Sequence, residues 1–357
     1  MTMEQDKYEE VPVFDESTDE IVPYKYSITS YGADYPVDSL VSRLDRDVIF
    51  IPTFQRSYVW SINQASRFIE SLLLGLPVPG VFFSKESDTG KLLIIDGQQR
   101  LKTLQYFYRG IFHNGREFTL QHVQERFEGK TIRTLEESDR NTLDDSIIHA
   151  TIVKQDEPSD DESSIYHIFE RLNTGGTQLQ PQEIRACIFY GPFNELLAEL
   201  NSTPLWRNIY GPPSKRLKDQ ELILRFFALF YNLDNYERPM KEFLNDYMGK
   251  NKKFALQSKK ELQNLFVTTI NFISESLGRE AFRPERTLNA AAYDGIMVGL
   301  ARKMIGVTLN DKETFKTKYR ELIANQDFFN ACKTATSDES NVISRIDLAT
   351  KAFSELT

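Results

Sequence analysis

Five consecutive residues, Asp96-Gly97-Gln98-Gln99-Arg100, constrain this chain more than any other segment, because they join an apolar strand directly to a helix. Upstream, Leu92 to Ile95 is a short aliphatic run of buried-strand character. Downstream, Leu101, Leu104, Tyr106 and Tyr108 recur among polar residues at roughly helical spacing. A strand that ends in Asp-Gly and opens a helix brings backbone N–H groups, the positive end of the helix dipole and a cation, Arg100, to one point. Such a point binds anions, phosphate most naturally. The same residues allow a plainer reading, a tight turn closed by an Asp96–Arg100 pair with no ligand.

Three other segments carry polar residues where loop filler is the ordinary expectation. In Pro52 to Trp60, Gln55 and Arg56 follow a strand and precede two aromatics, Tyr58 and Trp60. Arg56 suits a phosphate, Gln55 a base edge or a metal-bound water, and the aromatics suit stacking; the plain alternative packs the rings under the sheet. Asn173 to Thr177 is a polar loop whose paired glycines, Gly175 and Gly176, let the backbone approach a ligand closely. A helix C-cap would account for one of those glycines. Glu183 and Arg185 open the next helix, where i,i+2 residues point apart, so at most one of them faces a site. Asp96 is the natural candidate for a Mg²⁺ ligand, since that ion takes one or two carboxylates together with phosphate oxygens.

Charge is unevenly spread. Residues 1–20 hold eight acids against Lys7, a net of −7, which leaves −2 of the overall −9 for the rest of the chain. Residues 215–260 carry eleven Lys/Arg against six Asp/Glu, a net of +5, which leaves room for a DNA contact on a helical half. A solvated helix face of mixed charge explains the same run. No stretch approaches about 18 uninterrupted apolar residues, so no membrane span is expected. The acidic head lacks the basic and apolar regions of a secretory signal. The two cysteines, Cys187 and Cys332, form neither a disulfide framework nor a zinc knuckle. These features together predict a cytoplasmic protein.

Residues 1–22 read as an acidic, disordered tail and 23–190 as a strand-rich α+β domain. Helices are expected over Val37–Leu44 and from an N-cap at Ser61 to near Gly75, and strands over Val48–Ile51, Val81–Phe83, Leu92–Ile95 and Ile147–Val153. Residues 111–135 read as short strands and loops. A helix over Ile165–Leu172 precedes the Asn173 loop, and Pro181 sits in the first turn of the next helix. Residues 191–357 read as an all-α domain.

Four motifs in order, Ile51 to Trp60, Ile95 to Leu101, Phe169 to Thr177 and Gln182 to Arg185, resemble the N-terminal domain of GmrSD-type restriction enzymes, a family also known as DUF262. The resemblance spans about residues 36–190; Leu288-Asn289 and Tyr293-Asp294 resemble the helical segment that follows in that family. It implies a ParB/sulfiredoxin-like fold that binds and hydrolyses nucleoside triphosphates in defence against phage. By motif, Asp96, Gln98, Gln99 and Arg100 would form the phosphate and catalytic turn. Gln55, Arg56, Gly97, Asn173, Thr174, Gly175, Gly176 and Arg185 would complete the nucleotide pocket. Lys102 replaces the Thr common before Thr103. A His-based nuclease of the HNH type, present in the full enzymes, needs a His to activate water. The four histidines, His113, His122, His149 and His167, all precede the helical half, so that half is not expected to hold such a centre. A sulfiredoxin-type site needs a cysteine in the phosphate turn, where there is none.

The leading expectation is therefore a Mg²⁺-dependent nucleoside triphosphatase that serves as sensor or regulatory subunit. Arg56 and Arg100 would stabilise the leaving phosphoryl group, and Gln98 or Gln99 would orient water. An alternative is a non-hydrolytic module that binds DNA or a modified nucleotide and recruits a separate nuclease subunit. A third is a scaffold with an inactive site. A homodimer is the default expectation for assembly.

Overall fold

The computed structural model describes residues 27–51, 58–86, 89–157, 163–172, 179–307 and 309–356. Gln55, Arg56, Asn173, Thr174, Gly175 and Gly176 lie outside the described residues, as does the acidic tail. The chain divides into two compact units, Lys25–Leu179 and Gln180–Thr357.

The first unit is α+β. Its elements run β1 (Ser27–Pro36), α1 (Val37–Asp45), β2 (Ile49–Phe50), α2 (Ile62–Leu73), β3 (Val81–Lys85), β4 (Leu92–Asp96), α3 (Gln98–Arg109), α4 (Glu137–Asp145), β5 (Ile147–Glu157) and α5 (Ser163–Leu172). One mixed sheet has the order β1-β5-β3-β4-β2. β1 pairs antiparallel with β5, β5 parallel with β3, β3 antiparallel with β4, and β4 parallel with β2. Alternation along the strands assigns the faces. Ile148, Ala150 and Ile152 of β5, Val81 and Phe83 of β3, and Leu92 and Ile94 of β4 join one core with the apolar faces of α1, α2 and α3. Leu93 and Ile95, on the opposite face of β4, are buried as well, and α5 packs on β4 and β5 there. That double burial is why Leu92 to Ile95 shows no apolar–polar alternation.

Four expected elements are placed closely. α1 buries Val37, Leu40, Val41 and Leu44. α2 opens on a capping box in which Ser61 Oγ accepts from Gln64 N–H and Gln64 Oε1 accepts from Ser61 N–H. β3 and β4 are antiparallel neighbours. Two elements were not expected. β1 is an edge strand whose residues are mostly exposed, so it lacks the alternating pattern that marks a half-buried strand. α4 buries only Leu143. Residues 111–135 are loops, with one isolated bridge between Ile111 and Glu117, yet they contribute Phe112, Phe118, Leu120 and Phe127 to the core.

The second unit holds, among its described residues, ten α-helices and no strand: α6 (Pro181–Ile188), α7 (Pro192–Asn201), α8 (Pro204–Tyr210), α9 (Lys218–Asn232), α10 (Met240–Lys250), α11 (Lys259–Leu277), α12 (Ala290–Lys303), α13 (Lys312–Ala324), α14 (Gln326–Ala331) and α15 (Glu339–Phe353). The first three each open on a proline, whose missing N–H would be unpaired there anyway. α12 is buried along nearly its whole length, and a Cβ at Gly299 would lie 2.8 Å from Ala349 of α15. Asp294 of α12, fully buried, accepts from Arg225 of α9 and Arg345 of α15, both also buried. No helix among the described residues is long and apolar enough to cross a membrane.

Candidate functional site

The joint between β4 and α3 is built as the residue types demand. β4 ends at Asp96, and the chain turns through Gly97 with φ 97°, a left-handed value that glycine adopts at no steric cost. Leu101 N–H closes the first helical bond on the Gly97 carbonyl at 3.0 Å. Gly97 offers no side-chain cap, so the first amides of α3 receive none from the N-cap residue.

Arg100 reaches back across this turn. Its Nη2 donates to Asp96 Oδ2 at 2.7 Å and to the Gly80 carbonyl, just before β3, at 2.8 Å. The guanidinium is 16% exposed and the Asp96 carboxylate 49% exposed. Arg100 Nε is buried with no hydrogen-bond partner among the described residues. The Asp–Arg pair of the plain reading is therefore present, with a donor on the arginine left over. A positive dipole end, a largely buried cation and a half-exposed carboxylate share one corner of the unit.

The two glutamines differ. Gln98 is half-buried in the first turn. Gln99 Oε1 accepts from the backbone N–H groups of Val59 at 2.9 Å and Trp60 at 3.3 Å. One turn on, Thr103 Oγ1 donates to the Gln99 carbonyl at 2.7 Å and lies 2.7 Å from the Tyr58 hydroxyl. The Tyr58 ring sits among Tyr106, Phe112 and His113, with centroids 5.1 to 5.6 Å away. Burial pushes its phenol up from 10 to about 12, against the lowering effect of the Thr103 bond. Burial likewise lowers the Lys102 ammonium below its ordinary value. Neither the Gly80 carbonyl nor the Gln99–Val59 bonds had a signal in the sequence, since both partners are remote along the chain.

Residues 37–190 match the GmrSD restriction endonuclease N-terminal domain. Over this stretch the chain is similar to that domain. No curated protein matches the sequence. The matched stretch begins at the first residue of α1, contains the whole β4–Gly97–α3 joint, and runs through α6.

Arg185, expected at the nucleotide, lies in the second compact unit and is fully buried there. Its Nε donates to Asn245 Oδ1 at 2.8 Å, and Nη1 donates to Glu221 Oε2 at 3.0 Å and Gln182 Oε1 at 3.1 Å. Nη2 donates to the Lys241 carbonyl at 3.4 Å. A guanidinium so committed ties α6 to α9 and α10 instead of presenting a fork to phosphate. Glu183 accepts from Gln180 N–H to cap α6 and pairs with Arg216.

Among the described residues no group of three or more His, Cys, Asp or Glu could enclose a metal ion. Asp96 offers a single carboxylate with Oδ2 already on Arg100. That donor set fits a Mg²⁺ that arrives with phosphate oxygens, and does not fit a protein-only cage. Both cysteines are free and buried, and burial raises both thiols, so neither is an available nucleophile.

Proposed function

We propose that the GmrSD domain binds a nucleoside triphosphate with Mg²⁺ at the amino end of α3 and hydrolyses it, as the sensor or regulatory part of a restriction-type defence system. The observation that carries this reading is the β4–Gly97–α3 joint, which aims the helix dipole and Arg100 at one corner with a carboxylate beside them. Terminal phosphates would lie against the first-turn amides, with Mg²⁺ held by Asp96 and phosphate oxygens. When bound, the ion would neutralise charge on the phosphates. Arg100 would stabilise the charge that develops as the phosphoryl group leaves, and Gln98 would orient water. Arg56 and Gln55, with Asn173, Thr174, Gly175 and Gly176, remain the proposed completion of the pocket. The mixed sheet with a strand-to-helix anion corner also supports a ParB-like fold.

A non-hydrolytic DNA-binding role that recruits a separate nuclease has weaker support. Of the eleven cations in residues 215–260, at least six form ion pairs among the described residues, namely Arg216, Arg225, Arg238, Lys241, Lys250 and Lys259. Paired charges of this kind release few counterions on binding DNA.

Thermal unfolding with ATP, GTP, CTP and UTP in turn, each with Mg²⁺, tests the proposal. A ligand at about 100 times its dissociation constant adds about 2.7 kcal/mol, a clear shift. Arg100→Ala is expected to abolish that shift and cut turnover at least tenfold, about 1.4 kcal/mol. Absence of binding and turnover with all four nucleotides would sink it.

A further inference from the structure

Gln99, the second of two adjacent glutamines in the turn, is held by its side chain to a segment far away in sequence. Gln99 Oε1 takes two backbone N–H groups, from Val59 and Trp60, and both donors lie in the segment leading into α2. The same segment is held a second time by the Tyr58 hydroxyl on Thr103, whose own hydroxyl donates to the Gln99 carbonyl. A third hold is the packing of the Tyr58 ring against Tyr106 and Phe112, one from α3 and one from the loop after it. Two amide donors on one oxygen satisfy backbone groups that would otherwise need water, which is what a clamp requires.

We infer that Gln99 is a positioning residue: it fastens Tyr58–Trp60 to the first turn of α3. This deepens the nucleotide reading and rests on it for its kinetic consequence alone. Two peptide links separate Tyr58 from Arg56, about 7 Å at full extension. Releasing the clamp therefore lengthens the tether of an arginine proposed to meet phosphate. The acceptor oxygen does the work, and a glutamate at position 99 keeps that oxygen.

Amide hydrogen exchange on the full chain, with Gln99→Ala and Gln99→Glu, reads the clamp directly. Exchange at Val59 and Trp60 should quicken about tenfold or more in Gln99→Ala, from the loss of two hydrogen bonds, and stay within about twofold of wild type in Gln99→Glu. Tyr58→Phe, which removes only the hydroxyl, should give a smaller increase at the same amides. In turnover with ATP, GTP, CTP and UTP plus Mg²⁺, Gln99→Ala should raise KM about tenfold with kcat within about threefold, and Gln99→Glu should restore KM. Unchanged exchange in Gln99→Ala overturns the assignment. So does a collapse of kcat in Gln99→Glu while its exchange stays at the wild-type rate, because the amide itself would then be handling water. No turnover in the wild type would count against the nucleotide reading alone, and the exchange comparison would still decide the clamp.

Discussion

At Gly97 the backbone turns through φ 97° where β4 passes into α3, and a Cβ there would lie 2.5 Å from Val81 Cγ1 and 3.2 Å from Arg100 Nη2. Gly97→Ala therefore meets both a disfavoured backbone region and a clash in the core. The expected cost is about 2–4 kcal/mol, measurable by urea unfolding, with nucleotide-dependent stabilisation lost in parallel because Arg100 is displaced. Tyr58 makes a separate prediction. Its phenol rises from 10 to about 12 on folding, so the folded state keeps that proton where the unfolded state has lost it. Its contribution is complete below about pH 10 and disappears as pH climbs to about 12. Unfolding followed across that window should show stability falling with pH, less steeply in Tyr58→Phe. At this scale the turn was legible, since Asp-Gly after an aliphatic run permits few conformations. Gln99 was not, because its acceptor role depends on donors 39 and 40 residues earlier in the chain.

Helix α2 is the element whose start was written most openly. Ser61 and Gln64 cap each other's backbone N–H groups, and Ala65, Phe68, Ile69, Leu72 and Leu73 form the buried stripe behind them. Ser61→Ala removes one arm of the box and should cost about 1 kcal/mol. Trp60 directly precedes the cap and meets Phe68 edge-on, with centroids 5.7 Å apart, so its fluorescence should report the loosened start before global unfolding. β1 shows the opposite case. It pairs with β5 along its whole length, but its side chains gain little burial, and hydrophobic pattern is blind to a strand held mainly by backbone bonds. α4 escaped for a related reason, with Leu143 its one buried residue.

On the scale of the chain, the family match and the compact units do not end together. The GmrSD match runs to residue 190, whereas the division by contacts falls between Leu179 and Gln180 and leaves α6 with the helices. Burial explains the difference: Gln182, Glu183 and Arg185 of α6 are all inside the second unit, and Arg185 meets α9 and α10 through Glu221, Asn245 and the Lys241 carbonyl. Sequence proximity to the polar Asn173 loop made Arg185 resemble a ligand residue, and nothing local distinguishes a buried tie from a phosphate fork. Arg185→Met separates the two roles. Removing the cation leaves Glu221, 15% exposed, without its ion pair, and should destabilise the chain by about 3 kcal/mol in urea unfolding. The thermal shift given by a saturating nucleoside triphosphate should survive, measured against the variant's own lowered midpoint. Lost affinity with intact stability would instead return Arg185 to the nucleotide pocket, because a side chain that binds phosphate without holding α6 in place must spend its guanidinium outside this network.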